Sequence, residues 1–175
     1  MQDAFDRLGL PRRFRVDAAE LERAYLARSR AVHPDYHLAG SSADLNASLE
    51  LSAALNEAYN TLRDPFTRAE HLLSLHGGPG AAEHKQVPPA FLAEMLDARE
   101  ELEAARGNAA ETDRLEREFA TRFDRLMSNA AALFEQLATI STEDPQRANL
   151  LLRIRGLLNA AKYVRGLVRD LHTDD

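Results

Sequence analysis
A chain of 175 residues, 45% of them hydrophobic and with no low-complexity tract, has the apolar material for a buried core at a length that suits one domain or two small ones. A formal net charge of -6 argues against non-specific nucleic-acid binding, which needs a basic surface to displace phosphate counterions, and favours a protein partner. The absence of cysteine excludes disulfides, thiol catalysis and any thiolate-held zinc or iron-sulfur cluster, and no apolar run approaches the roughly 18 residues of a membrane span.

Apolar residues recur at helical spacing throughout, and no stretch alternates with the Val, Ile and Thr enrichment of strands, so the fold class is all-α. The spacing predicts a short first helix from about Gln2 to Leu8, burying Phe5 and Leu8 and interrupted by Gly9 and Pro11. Arg12, Arg13 and Arg15 make the following loop basic. Asp17 is a good N-cap, with Glu20 placed as in a capping box, for a helix that runs to about Val32 with Leu21, Ala24 and Tyr25 inward. Pro34 ends it, because the residue before a proline is pushed out of the α region and proline donates no backbone bond. His33, Pro34 and Asp35 thus lie at a helix exit.

After a polar loop through Gly40, Ser41 and Ser42, a third helix carries Leu45, Leu49, Ala53, Asn56, Tyr59 and Leu62 on one stripe and can pair antiparallel with the second. Pro65 opens a fourth helix with Phe66, Ala69, Leu72, Leu73 and Leu75 apolar, and Gly77-Gly78-Pro79-Gly80 ends it. A domain boundary is expected here, dividing the chain into a four-helix domain over 1–76, a linker over 77–88 and a second domain over 89–175.

The second domain is expected to hold three helices. The first runs from about Pro89 to Arg106 and is closed by Gly107-Asn108. The next carries Leu115, Phe119, Leu126, Leu133, Leu137 and Ile140, and breaks at Ser141, Thr142 and Pro145. The last carries Leu151, Ile154, Leu158, Ala161, Val164, Val168 and Leu171. Alone, each would leave an apolar face wet, so an antiparallel three-helix bundle is the natural solution.

The run Glu20-Leu-Glu-Arg-Ala-Tyr25, followed after seven intervening residues by His33-Pro34-Asp35, resembles the second helix and loop of J-domains, which have four helices in this order. The similarity covers residues 1–76. Such a loop holds an imidazole and a carboxylate at a rigid bend, where Asp35 can accept charge-assisted bonds from a partner's arginine and rigidity lowers the entropy cost of docking. The resemblance implies that His33, Pro34 and Asp35 dock on a DnaK-type chaperone ATPase and stimulate ATP hydrolysis. Arg23 and Arg30, seven apart on one face, would be the residual basic contact. On the residues alone, the triplet also reads as a simple helix stop with a solvated His33, and the arginines as solvent-exposed.

A narrower resemblance follows. Leu55-Asn-Glu-Ala-Tyr-Asn-Thr-Leu-Arg63, then Pro65, then Arg68-Ala-Glu-His-Leu-Leu-Ser-Leu-His-Gly77, and later Phe91-Leu-Ala-Glu-Met-Leu-Asp-Ala-Arg-Glu-Glu-Leu102, are similar to the HscB family of co-chaperones. The family implies a non-enzymatic, cytoplasmic adaptor without cofactor or metal. Its C-terminal bundle binds an IscU-type scaffold on which iron-sulfur clusters are built and delivers it to the HscA chaperone. The family's scaffold-binding positions fall on Leu92, Leu96, Asp97 and Glu100, with Tyr163 matching an aromatic position in the last helix. Leu92, Leu96 and Glu100 sit four apart, an apolar patch beside a carboxylate stripe that suits a partner with apolar and basic contacts. From pattern alone, the leucines read as bundle core and Asp97 and Glu100 as a solvated face.

Departures from the family are local. Ala93 and Ala104 replace a larger apolar and an acidic residue, which would make the scaffold interface smaller. Tyr36 replaces the usual lysine after the triplet, and Glu22, Leu26 and Ala27 stand where basic residues are common. Arg28 occupies a position that is usually apolar. Two other readings remain open at this point: a general J-protein for unfolded clients, and a metal-dependent hydrolase using His33, Asp35 and His37, a string able in principle to chelate a divalent ion.

Overall fold
The computed structural model describes residues 2–32, 42–87 and 89–171. These form seven helices and no strand: α1 (Ala4–Leu8), α2 (Ala18–Val32), α3 (Ser42–Arg63), α4 (Pro65–Leu75), α5 (Pro89–Ala104), α6 (Ala109–Thr139) and α7 (Gln146–Leu171). By internal packing the chain divides into two compact units, Met1–Leu72 and Leu73–Asp175.

In the first unit α1 starts at Ala4, two residues later than its apolar spacing suggests, because Asp3 is its N-cap. The Asp3 carboxylate accepts from the amides of Phe5 at 2.8 Å and Asp6 at 3.1 Å. Gly9, at φ 63, turns the chain out of the helix, and the amides of Gly9 and Leu10 bond back to Asp6 O and Phe5 O. Phe5, Leu8 and Leu10 then bury with Leu21, Leu55, Leu62, Ala69 and Leu72. The Ala4 amide donates to His71 Nε2 at 3.2 Å, and the Phe5 ring stacks on that imidazole at 5.9 Å.

The basic loop after α1 is largely neutralised. Arg12 reaches Asp3 and Asp6, each at 2.7 Å, and Arg13 reaches Glu20 at 3.0 Å. Burial pushes the Asp3 carboxyl up, but the Asp6 amide and the Arg12 guanidinium outweigh it and hold the group below its ordinary value. Asp17 caps α2 through the Glu20 amide at 2.8 Å. The Glu20 carboxylate goes to Arg13, so the capping box is not closed by its second half.

Helices α2 and α3 pair through tyrosines. The Tyr25 hydroxyl donates to Asn56 Oδ1 at 2.7 Å, and the Tyr59 hydroxyl donates to Glu22 Oε2 at 3.2 Å. The buried stripe of α3 is Ser48, Leu55, Ala58 and Leu62. The expected stripe through Leu45, Leu49, Ala53 and Asn56 is therefore rotated away from the core, with Leu45 39% and Leu49 51% exposed. Asp64 caps α4 through the Thr67 amide at 2.8 Å, and the Arg68 guanidinium satisfies Leu62 O at 2.6 Å at the end of α3. Gly77, at φ 76, closes α4, with the Gly77 amide on Ser74 O at 3.0 Å and the Gly78 amide on Leu73 O at 2.9 Å.

The second unit is a three-helix bundle. Helix α5 ends at Ala104 rather than Arg106, the chain reversing through Gly107 at φ 79 to Asn108, whose side chain caps α6 through the Glu111 amide. Phe91, Met95 and Leu102 of α5 meet Leu115 and Phe119 of α6 and Ala160, Val164 and Leu167 of α7. Along the remainder of α6 and α7, Phe134, Leu137, Leu151, Ile154 and Leu158 are buried. Arg155 is fully buried among them, its Nε donating to Asn159 Oδ1 at 2.9 Å. Asn159 Nδ2 in turn donates to His84 O at 2.8 Å and Gln86 O at 3.1 Å, which ties the segment before α5 onto α7.

Candidate functional site
Helix α5 has two apolar registers, and only one is used by the bundle. Phe91, Met95 and Leu102 follow helical spacing and are buried. One residue on, and so turned by about 100°, Leu92 and Leu96 are 47% and 63% exposed. Asp97 and Glu100 are exposed beside them. The reading of these leucines as bundle core is overturned, because Met95 and its neighbours already fill that position. An apolar strip edged by two carboxylates remains, fitted to a partner that presents apolar and basic groups together.

One edge of the strip is braced. Glu94 pairs with Arg122 of α6, whose guanidinium lies over the Phe91 ring at 5.4 Å. Burial, and then the neighbouring Arg125, pull the Arg122 guanidinium below its ordinary value. Tyr163 is half-buried, packed against the bundle core with its ring edge-on to Phe91 at 6.2 Å and 83°. It therefore reaches α5 through Phe91, a core residue, while Leu92 and Leu96 face solvent.

On α2, Arg23 and Arg30 are exposed. Among the described residues no carboxylate pairs with either. Arg28, at a position that J-domains usually fill with an apolar residue, is exposed, its guanidinium lying against Gly9 where a side chain would otherwise stand. The left-handed Gly9 that closes α1 thus leaves the space that Arg28 occupies. His33, Pro34 and Asp35, and His37 of the chelating string, lie outside the described residues.

Three polar features have no counterpart in the sequence reading. The Arg155–Asn159 pair holds the segment before α5, and its only trace in sequence is an arginine set between Ile154 and Leu158 of an apolar stripe. Arg68 lies 5.2 Å from the Phe14 ring centroid, and burial pulls its guanidinium below the ordinary value, with Asp64 acting against that shift. His76 sits between Arg147, at 3.2 Å from Nδ1, and Phe134, at 6.3 Å between centroids. Among the described residues no three His, Asp or Glu side chains converge as a metal site, and no helix is long and apolar enough to cross a membrane.

Comparison with known proteins gives a consistent set of likenesses. The family model described as HSCB C-terminal oligomerisation domain matches residues 87–165. The chain is 42% identical over 116 residues to a co-chaperone protein HscB homolog of Chromobacterium violaceum, a match covering 66% of this chain and 65% of that protein. It is 37% identical over 135 residues to a co-chaperone protein HscB homolog of Bordetella petrii, covering 77% of this chain and 79% of that protein. Among solved structures, chaperone HscB from Vibrio cholerae superposes with a TM-score of 0.78 at 25% identity, over 98% of this chain and 96% of that one. Human co-chaperone protein HscB superposes with a TM-score of 0.82 at 26% identity, over 98% of this chain and 81% of that one.

Proposed function
The chain belongs to the HscB family of co-chaperones, and from that premise we propose that it binds an IscU-type iron-sulfur scaffold, delivers it to an HscA/DnaK-type chaperone and stimulates that chaperone's ATPase. The family is one of non-catalytic co-chaperones with a J-like N-terminal domain and a C-terminal helical bundle, so the work is done by docking and not by a reaction at this chain. The J-domain is assigned to 1–76, the linker to 77–88 and the scaffold-binding domain to 89–175. His33, Pro34 and Asp35, with Arg23 and Arg30, form the chaperone side, and the protein acts in the cytoplasm.

The observation that carries the scaffold half is the spare register of α5. Leu96, 63% exposed, contributes nothing to a core that Met95 completes, and burying an exposed leucine against a partner is worth about 1 kcal/mol or more. Asp97 and Glu100 beside it add selectivity for a partner with basic groups. Tyr163, half-buried and edge-on to Phe91, is the aromatic member of the same scaffold-binding set.

Titration of the full chain with purified IscU-type scaffold and HscA-type chaperone, separately and together, tests the reading. Saturable one-to-one binding of the folded scaffold, with a ternary complex when both are present, is the expected result. Binding of denatured clients in place of the scaffold would mark a general J-protein instead.

A further inference from the structure
The outward face of α2 carries more than two arginines. Arg23, Leu26, Ala27 and Arg30 fall within about 100° of helical arc, opposite Leu21 and Tyr25. All four are exposed, Leu26 at 42%. The remaining charged side chains of the helix are engaged elsewhere. Arg28 packs on Gly9, Glu20 holds Arg13, and Glu22 accepts from the Tyr59 hydroxyl. Among the described residues Arg23 and Arg30 meet no carboxylate, whereas Arg12, Arg13, Arg114 and Arg122 are each ion-paired. In a chain of net charge -6, two uncompensated arginines thus flank one exposed leucine.

We propose that Leu26 is the apolar centre of the chaperone-docking face, seated in an apolar depression of the ATPase between carboxylates that receive Arg23 and Arg30. The inference rests on the co-chaperone reading above and adds the surface chemistry of the partner. An apolar residue ringed by charges is the arrangement in which the centre governs dissociation and the rim governs approach. Salt weakens the exposed arginine attraction, with a screening length of about 10 Å at 0.1 M that shortens as salt is added, and leaves the leucine contact intact. A chaperone whose docking face is acidic throughout would desolvate carboxylates against Leu26 without return, so this residue also selects between chaperones.

The test measures stimulation of a purified HscA-type ATPase as a function of co-chaperone concentration, at ionic strengths from about 0.05 to 0.5 M. Leu26→Ser is expected to raise the half-saturating concentration about fivefold, the loss persisting at high salt. Leu26→Lys is expected to make half-saturation depend more steeply on salt than in the unmodified chain. Leu152→Ser, which removes a leucine 43% exposed on α7, controls for loss of an exposed leucine elsewhere and leaves the curve in place. Far-UV circular dichroism verifies that each variant keeps its helices. Half-saturation unchanged by Leu26→Ser at every salt concentration, with His33→Gln inactive in the same assay, overturns the docking role of Leu26 while the co-chaperone reading stands. No stimulation by the unmodified chain overturns that reading, and the role of Leu26 with it.

Discussion
The rings of Tyr25 on α2 and Tyr59 on α3 lie 4.4 Å apart between centroids at an interplanar angle of 29°. Each hydroxyl is anchored on the opposite helix, Tyr25 on Asn56 and Tyr59 on Glu22. The stack sets the register of the helix pair two turns before α2 ends at Val32, the residue that precedes the triplet. Tyr25→Phe keeps the ring and loses one hydrogen bond, an expected cost of about 0.5–1 kcal/mol. Tyr25→Ala loses the stack as well and is expected to cost about 2 kcal/mol. Urea unfolding of both variants orders them, and equal costs would deny the stack any contribution.

Asn159 joins a fully buried guanidinium to two backbone carbonyls of the segment before α5. Asn159→Leu removes the acceptor from Arg155 Nε and both donors from His84 O and Gln86 O. A loss of about 2–4 kcal/mol is expected, because buried polar groups are left short of partners. Thermal unfolding should show it, together with faster amide exchange over residues 84–87. Unchanged exchange there would mean that the segment is held by other contacts.

Burial first, and the Arg147 guanidinium second, hold the His76 imidazole below its ordinary value. The unfolded chain therefore takes up this proton more readily than the native state, titrating near about 6.5. Stability from this site is present above that pH and is lost as the pH falls through about 6.5 toward the depressed native value. His76→Gln is expected to unfold with a smaller stability difference between about pH 7.5 and pH 5.5 than the unmodified chain. An identical pH slope in both would remove His76 as its source.

Leu96→Asp places a charge on a surface that is already solvated in the free protein. Stability is expected to stay within about 0.5 kcal/mol, as for surface changes in general. Scaffold affinity is expected to fall at least about tenfold, since the charge must be buried against apolar atoms on binding. Isothermal titration with purified IscU-type scaffold measures this directly, and undiminished affinity would exclude the α5 strip as the interface.

Helix ends written in local chemistry were legible from the residues: Asp17 at the start of α2, Gly77 at the close of α4, and Asn108 between α5 and α6, whereas the Glu20 carboxylate goes to Arg13 and not back to the cap. Faces were harder wherever apolar residues surround a helix. On α3 the buried stripe runs through Ser48 while Leu45, Leu49 and Leu51 lie exposed, so hydropathy alone points to the wrong side. On α5 the registers through Phe91 and Leu92 are both apolar over their first two positions, Phe91 and Met95 against Leu92 and Leu96, and those positions alone do not separate core from docking surface. The resemblance to HscB pointed to Leu92 and Leu96, and the structure leaves both exposed. Arg155 and Asn159 escaped notice because Asn159 bonds to carbonyls 73 and 75 residues away, and no local spacing encodes such partners. Arg28 became intelligible only once Gly9 was seen to leave it room.

The central claim, that this co-chaperone acts by stimulating a chaperone ATPase, is tested most directly by the single-turnover ATP hydrolysis rate of an HscA-type chaperone with the unmodified chain and with His33→Gln. The expected result is strong stimulation by the unmodified chain and none by the variant, with both binding the scaffold equally. Equal stimulation by the two proteins would contradict it.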